Sequence, residues 1–304
     1  MASSGSTAFL SDYNTPQGTT ANVWRTGTGS RGYGQGVYFS SSLSTTTTMG
    51  VTEWNNLRYD LFNVRAHQIG TNPAISIAAS SGSSIVSDDA TNFGSYASTY
   101  DTDRLTAHAS RISTSTSFNG MSSSMVRTTS WTSSVQCEFY QNFASPDIKR
   151  FFYNQGGKLR FTSTRTGGAS TAQTLAWSTL LTNAGTYTFN ATALEGLTSS
   201  YSVLYTGSAS APYTTSNYII EAATSGATVL FKITYVDPYS DPSPGNAPLP
   251  EDIIDGTLTL SMDYQYATGG TALAGGGYFI GFGSAYGGNY PLPSYTVIKS
   301  MVGG

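Results

Sequence analysis

Alternation of apolar and polar residues through the second half of the chain is the feature that most constrains its fold. Successive side chains of a β-strand point to opposite faces, so this pattern is typical of antiparallel sheets with one buried face. The residues that share one face of each predicted strand are Trp131, Ser133, Val135, Cys137 and Phe139; Leu159 and Phe161; Val229, Phe231, Ile233 and Tyr235; and Leu258, Leu260, Met262, Tyr264 and Tyr266. Shorter strands are predicted near 187–190, 201–205 and 218–222. About seven short strands separated by polar turns predict an antiparallel β-sandwich over residues 116–267, in a mainly β fold.

Two short helices are predicted to interrupt the sandwich. Ser145 followed by Pro146 is a helix-start signal, and Gly156 closes a helix predicted over 146–155. Ile148, Phe151 and Phe152 share its apolar face. The second helix, predicted over 172–184, has an apolar face of Trp177, Leu180, Leu181 and Ala184. We expect both helices to cover an edge or an end of a sheet.

Helical spacing dominates residues 51–115, for which we predict a small two-helix region. In the first helix, Thr52 to Gln68, the apolar residues Trp54, Leu57, Leu61 and Val64 lie on one face, with Thr52 as cap and Gly70 as stop. The second starts at Ser87 or Asp88 and has a face of Phe93, Tyr96, Tyr100 and Ala107.

The two ends of the chain are rich in Gly, Ser, Thr and Tyr and lack regular periodicity. Residues 1–50 are predicted to form an extended arm, and residues 268–304 a strand, near Tyr278 to Phe282, within a second arm. Such segments order themselves poorly without neighbours. We therefore expect the arms to contact other subunits. The predicted interface residues are Tyr13, Trp24, Tyr33, Tyr38, Tyr278, Tyr286 and Tyr290.

Charge and cysteine content exclude several functional classes. Charged residues make up 10% of the 304 residues, where an ordinary soluble domain has about 25%. The formal net charge is -3 and no basic run occurs, so binding of nucleic acid is not expected. No apolar run approaches a membrane span, and no signal peptide is expected. The single cysteine, Cys137, excludes an internal disulfide framework.

The residues that could carry chemistry do not form a catalytic set. His67 and His108 have no metal-ligating partner at helical spacing, and Cys137 lies on an apolar strand face. No cofactor is expected. One acidic, proline-rich loop offers candidate ligands for Ca²⁺: Asp237, Asp241, Glu251, Asp252 and Asp255. A solvated loop between two strands is the competing interpretation, and a cell-wall glycosidase using two of these acids is a third.

Several short motifs occur in order along the chain: SDYN at 11–14, GYGQ at 32–35, WNNLRYD at 54–60, FFYNQGGKLRF at 151–161 and DGTL at 255–258. Together they resemble virion structural proteins of the neck, tail or appendage type from tailed marine phages, the myophages that infect cyanobacteria. The longest motif is similar to the FFN-GG-IRF signature of that group. The resemblance implies a particle component with no catalytic residues.

Together these observations predict a non-enzymatic structural protein of a tailed-phage particle, located in the virion after assembly in the host cytoplasm. Its expected partners are copies of itself, as a homo-oligomer, and other virion proteins at the neck, the tail or a fibre-like appendage. Host surface glycans are further candidate partners. Two alternatives stay open: a receptor- or carbohydrate-binding adhesin of the tail, and a head decoration protein.

Overall fold

The structure is a computed structural model that describes residues 9–26, 30–35, 40–47, 49–71, 73, 75, 87–108, 112–115, 124–239, 253–267 and 292–303. It divides into two compact units. The helical unit comprises Met1–Ser113, Arg150–Gly157 and Tyr266–Pro291, and the sandwich unit comprises Thr114–Lys149, Lys158–Gln265 and Leu292–Gly304. The predicted strand near Tyr278 to Phe282 lies outside the described residues. Within the described part, no helix combines the length and apolar character needed to cross a bilayer.

The described part of the helical unit contains α1 (Leu10–Trp24), α2 (Val51–Ile69) and α3 (Ser87–Thr102), followed by a 3₁₀ turn at Asp103–Leu105. The four apolar residues predicted for α2 are all fully buried, which confirms that helix and its face. Gly50, rather than Thr52, is its N-cap, and Gly70 ends it in the left-handed conformation with φ 76°. In α3, Phe93 and Tyr100 are buried as predicted, whereas Ala107 lies beyond the helix end.

Helix α1 corrects the prediction that residues 1–50 form an extended arm. The Asp12 carboxylate accepts a hydrogen bond from the backbone N–H of Phe9 at 2.9 Å, which caps the helix start. The interior of α1 contains Pro16, and the Thr20 hydroxyl donates to the Pro16 carbonyl at 2.7 Å. Tyr13 and Trp24 belong to the same buried core as α2 and α3. Packing of one face therefore stabilises a helix of poor intrinsic propensity.

The sandwich unit contains two antiparallel sheets, as predicted. Sheet A has the order β1-β9-β4-β5, with β2 also paired to β9, and sheet B has the order β10-β3-β8-β7-β6. The strands are β1 (Ile112–Ser115), β2 (Ser124–Arg127), β3 (Val135–Asn142), β4 (Lys158–Thr166), β5 (Thr186–Phe189), β6 (Ser202–Ser208), β7 (Asn217–Ser225), β8 (Thr228–Val236), β9 (Thr257–Ala267) and β10 (Ser294–Gly303).

The two sheets pack face to face through aromatic rings. The Phe161 ring on sheet A lies 5.9 Å from Phe139 and 5.2 Å from Phe231, both on sheet B. Phe189 meets Phe231 edge-on at 5.0 Å. A cluster of hydroxyls lies between the sheets: the Ser163 hydroxyl donates to the Tyr218 hydroxyl at 3.0 Å and lies 2.7 Å from the Tyr235 hydroxyl. The alternation predicted for β3, β4, β8 and β9 thus produces the core, although Trp131 and Ser133 precede β3 and Ser133 is exposed.

Three helices accompany the strands: α4 (Pro146–Asn154), α5 (Ala172–Ala184) and α6 (Ala191–Glu195). The first two match the predicted helices, and Ser145 caps α4 by accepting a hydrogen bond from the Ile148 N–H at 3.2 Å. Residues Arg150–Gly157, however, group with the helical unit and not with the sandwich to which the sequence assigned them. Within that unit, the Asn154 side-chain amide donates to the Arg31 carbonyl at 2.9 Å.

Candidate functional site

The acidic loop predicted as a calcium site is described only at its two ends. Asp237, at the end of β8, is buried and accepts hydrogen bonds from the Gln173 amide at 2.9 and 3.0 Å. The backbone carbonyl of Asp255 accepts a hydrogen bond from Arg165. Among the described residues, no three His, Cys, Asp or Glu side chains gather around a common point. Three further candidates lie outside the described residues: Asp241, Glu251 and Asp252. The hydrogen bonds from Gln173 to Asp237 connect α5 to the end of β8.

The cysteine and one of the two histidines are buried in environments that suit structural roles. Cys137 is buried on β3, and burial raises the pKa of its thiol to about 12. The thiol therefore stays protonated at neutral pH, which is unfavourable for a nucleophile. His67 is buried in the last turn of α2, with its ring 4.3 Å from that of Tyr33 and 5.6 Å from that of Trp24. His108 is exposed.

Three of the predicted interface residues are core residues instead. Tyr13, Trp24 and Tyr33 expose at most 1% of their surface and pack in the helical unit. The Tyr33 hydroxyl donates to the Thr106 carbonyl at 2.7 Å. These side chains therefore stabilise the helical unit itself and are not accessible for contact with another subunit. The other four predicted interface residues lie outside the described part of the chain: Tyr38, Tyr278, Tyr286 and Tyr290.

Strand β10, which the sequence reasoning missed, presents the clearest exposed apolar surface. It lies at the edge of sheet B, and the pairing described for it is with β3 alone. Val297, Ile298 and Val302 are 40%, 44% and 49% exposed. The β-branched run Thr296 to Ile298, shortly after Pro293, is the sequence signal that could have identified it. An edge strand with exposed apolar side chains is a ready template for pairing with another chain.

Neighbouring strand β2 extends this surface. Val126 is 50% exposed, and the adjacent Arg127 donates from Nη1 to the Met301 carbonyl at 3.0 Å. That hydrogen bond places β2 of sheet A beside the last residues of β10. We name Val126, Val297, Ile298 and Val302 the β10 edge.

The charged residues on the outer face of sheet B are largely paired with one another. Lys299, Glu138, Lys232 and Glu221 follow one another across β10, β3, β8 and β7, in alternating sign and in direct register. Glu138 lies 3.5 Å from Lys299, and Lys232 lies 2.7 Å from Glu221. The Tyr201 hydroxyl donates to Glu138 at 2.9 Å, and its ring covers Lys232 at 4.7 Å. This face therefore offers little unpaired charge, and the β10 edge is the more distinctive feature.

Comparison of the chain with protein-family models, curated proteins and solved structures finds no match.

Proposed function

We propose that this protein is a structural subunit of a tailed-phage particle that acts by binding other protein subunits. The ordered motifs at 11–14, 32–35, 54–60, 151–161 and 255–258 support the particle assignment through resemblance. The β10 edge supports the assembly role, because β10 is an edge strand that carries three exposed apolar side chains. The neck, the tail and a fibre-like appendage are the proposed locations. The proposed role needs no cofactor and no catalysis.

A second copy of this chain is the partner we propose for the β10 edge. Two identical edge strands can pair antiparallel about a two-fold axis, which closes the contact and joins two sheets into one. Backbone N–H and C=O groups on the outer side of β10 would then gain partners, and Val297 and Ile298 would lose water contact. Other virion proteins would bind elsewhere on such a dimer.

Substitution of Ile298 tests this assembly. We expect the full-length protein to be dimeric or larger by light scattering after size exclusion, and Ile298→Lys to shift it to monomer, because a charge at the buried edge opposes pairing. Val203→Lys is the matched control: Val203 is 61% exposed on β6, the opposite edge of the same sheet. A monomeric parent protein, or equal effects of both variants, would contradict the proposed contact.

The absence of catalysis is tested separately. We expect no hydrolysis of peptidoglycan or capsular polysaccharide by the purified protein, with or without Ca²⁺. General acid–base catalysis needs groups in mutual hydrogen-bond reach, and the described contacts of Asp237 are with neutral donors such as Gln173. Turnover that Asp237→Asn, Glu251→Gln or Asp255→Asn abolishes, in variants that remain folded, would favour a glycosidase instead.

A further inference from the structure

A cleft of about 370 Å³ lies between strand β4 and helix α5 in the sandwich unit. Its volume is at the lower end of the range for small-molecule sites. The lining combines apolar atoms with several hydroxyl groups and one charged residue, Arg165. The lining residues are Thr162, Ser163, Thr164, Arg165 and Thr166 from β4, Ser178, Leu181 and Thr182 from α5, and Gly185.

The cleft follows a part of β4 whose edge has no strand partner in the described structure. Along its whole length β4 pairs with β9, but β5 pairs with it only from Leu159 to Thr162. Gly185, which lines the cleft, directly precedes β5, so the cleft lies on the β5 side of β4. Residues in a strand alternate in the side to which their N–H and C=O groups point. Two of residues 163–166 therefore direct backbone groups toward the cleft.

The Arg165 guanidinium lies at this cleft with uncharged hydrogen-bond partners. Nε donates to the Ser178 hydroxyl at 2.9 Å, and Nη1 donates to the carbonyls of Gly167, at 2.9 Å, and Asp255. Within the described residues, no carboxylate forms an ion pair with Arg165, and Nη2 makes no hydrogen bond. Burial lowers the pKa of Arg165, and this outweighs the opposing attraction of the Asp255 charge.

Arg160, five residues earlier on β4, is an arginine of the same strand that is paired with a carboxylate. Its Nε and Nη2 atoms bind the two oxygens of Asp263 at 2.5 and 2.6 Å, a bidentate ion pair. Arg165 has the same donor groups but donates to carbonyl and hydroxyl oxygens. A partly desolvated guanidinium of this kind favours an anionic partner, since charge-assisted hydrogen bonds to oxyanions are the strongest available to it.

We propose that the cleft binds an oxyanion, a carboxylate or sulfate group held by Arg165 and the backbone edge of 163–166. Arginine Nη2 and backbone N–H groups are donors, which complements a group that only accepts. The hydroxyls of Ser163, Ser178 and Thr182 already donate within the protein, to Tyr218, to the Thr174 carbonyl and to the Ser178 carbonyl. The group could be carried by an acidic sugar residue, whose hydroxyls would meet Thr164, Thr166 and Thr182, or be a free ion. This inference is independent of the assembly role.

Titration of the ¹⁵N-labelled full-length protein with glucuronate, glucose and sulfate tests the proposal. We expect glucuronate to shift the backbone amide signals of 163–166 and glucose to leave them unchanged. A ligand concentration of about 50 mM exceeds a 1 mM dissociation constant roughly fifty-fold, so even such weak binding would saturate. Equal binding of sulfate and glucuronate would identify a free oxyanion as sufficient, whereas binding of glucuronate alone would identify the acidic sugar. No shift with either anion would overturn the proposal.

Two variants and a control locate the binding. Arg165→Gln should reduce glucuronate affinity at least ten-fold, but it also removes contacts to Gly167 and Asp255. Thr182→Phe therefore provides a second route, because Thr182 is exposed on α5 and a phenyl ring there should fill the cleft without disturbing the core. Arg160→Gln removes an arginine from the same strand outside the cleft and should leave affinity unchanged. Unaltered affinity in both cleft variants would also overturn the proposal.

Discussion

The side-chain amide of Gln173 donates to both carboxylate oxygens of Asp237, at 3.0 and 2.9 Å, and both residues are buried. This contact joins the first turn of α5 to the end of β8 inside the sandwich unit. Gln173→Leu should lower the free energy of unfolding by about 2–3 kcal/mol, because a buried carboxylate loses two hydrogen bonds. Urea denaturation measures the loss. Leu175→Gln, at an exposed position of the same helix, should change stability by less than about 0.5 kcal/mol, and equal losses in both variants would contradict this role of Gln173.

Phe151 and Phe152 are 2% and 0% exposed, as the spacing in α4 predicted. Truncation of either to alanine should cost about 3–5 kcal/mol, through lost burial and the cavity left behind. Phe9, which is 59% exposed, supplies a matched control, since Phe9→Ala should cost less than about 0.5 kcal/mol. Losses below about 1 kcal/mol at both buried positions would show that these rings contribute little to the core.

Gly70 and Gly94 should respond in opposite directions to alanine. Gly70 ends α2 at φ 76°, and a Cβ there would overlap the His108 ring. Gly70→Ala should therefore cost about 2 kcal/mol, from left-handed strain and the clash. A Cβ on Gly94 in α3 meets no atom within 4 Å, and Gly94→Ala should stabilise by about 0.5–1 kcal/mol through helix propensity. Chemical denaturation of both variants checks the difference in sign.

Stability should fall in alkaline solution. Burial raises the pKa of the Cys137 thiol to about 12 and raises those of Tyr218 and Tyr235 above the ordinary tyrosine value. In the unfolded chain these groups ionise near pH 8.5 and pH 10, roughly. The unfolded state thus loses protons first. The contribution of these groups to stability is therefore constant below about pH 8 and, above its unfolded pKa, each group lowers stability by about 1.4 kcal/mol per pH unit.

Urea midpoints measured from about pH 7 to pH 11 check this pH dependence. Cys137→Ala lowers stability at every pH, but it should also reduce the slope between about pH 8.5 and pH 10, where the cysteine alone contributes. Stability that stays constant across the alkaline range would show that the buried groups ionise as readily in the folded protein as in the unfolded chain.

Removal of residues 1–40 should destabilise the helical unit. The deletion takes away Tyr13, Trp24 and Tyr33, each fully or almost fully buried, and each large apolar side chain contributes about 1.5–3 kcal/mol. Amide hydrogen exchange in α2 should accelerate, while β3 and β8 of the sandwich unit remain protected. Unchanged hydrogen exchange in α2 would instead support an extended arm at residues 1–40 that becomes ordered only in contact with other subunits.

The sequence alone determined those elements whose pattern repeats locally. Strands β3, β8 and β9 alternate because one face of each is buried, and α2 carries a continuous apolar stripe. Such periods follow from backbone geometry and need no knowledge of the partner. The start of α4 was likewise predictable, because Ser145 and Pro146 act within one helical turn.

Only the tertiary structure decided the elements that depend on distant contacts. Helix α1 contains Pro16 and Gly18 and becomes stable where Tyr13 and Trp24 meet the core formed with α2 and α3. Strand β10 forms by pairing with β3, more than 150 residues earlier in the chain. In the described structure the β4 edge has no strand partner beyond Thr162, because β5 begins at Thr186, which pairs with Thr162. Local propensity is weak compared with burial and pairing of this kind, so the sequence pattern could not reveal which tyrosines lie in the core and which strand forms the edge.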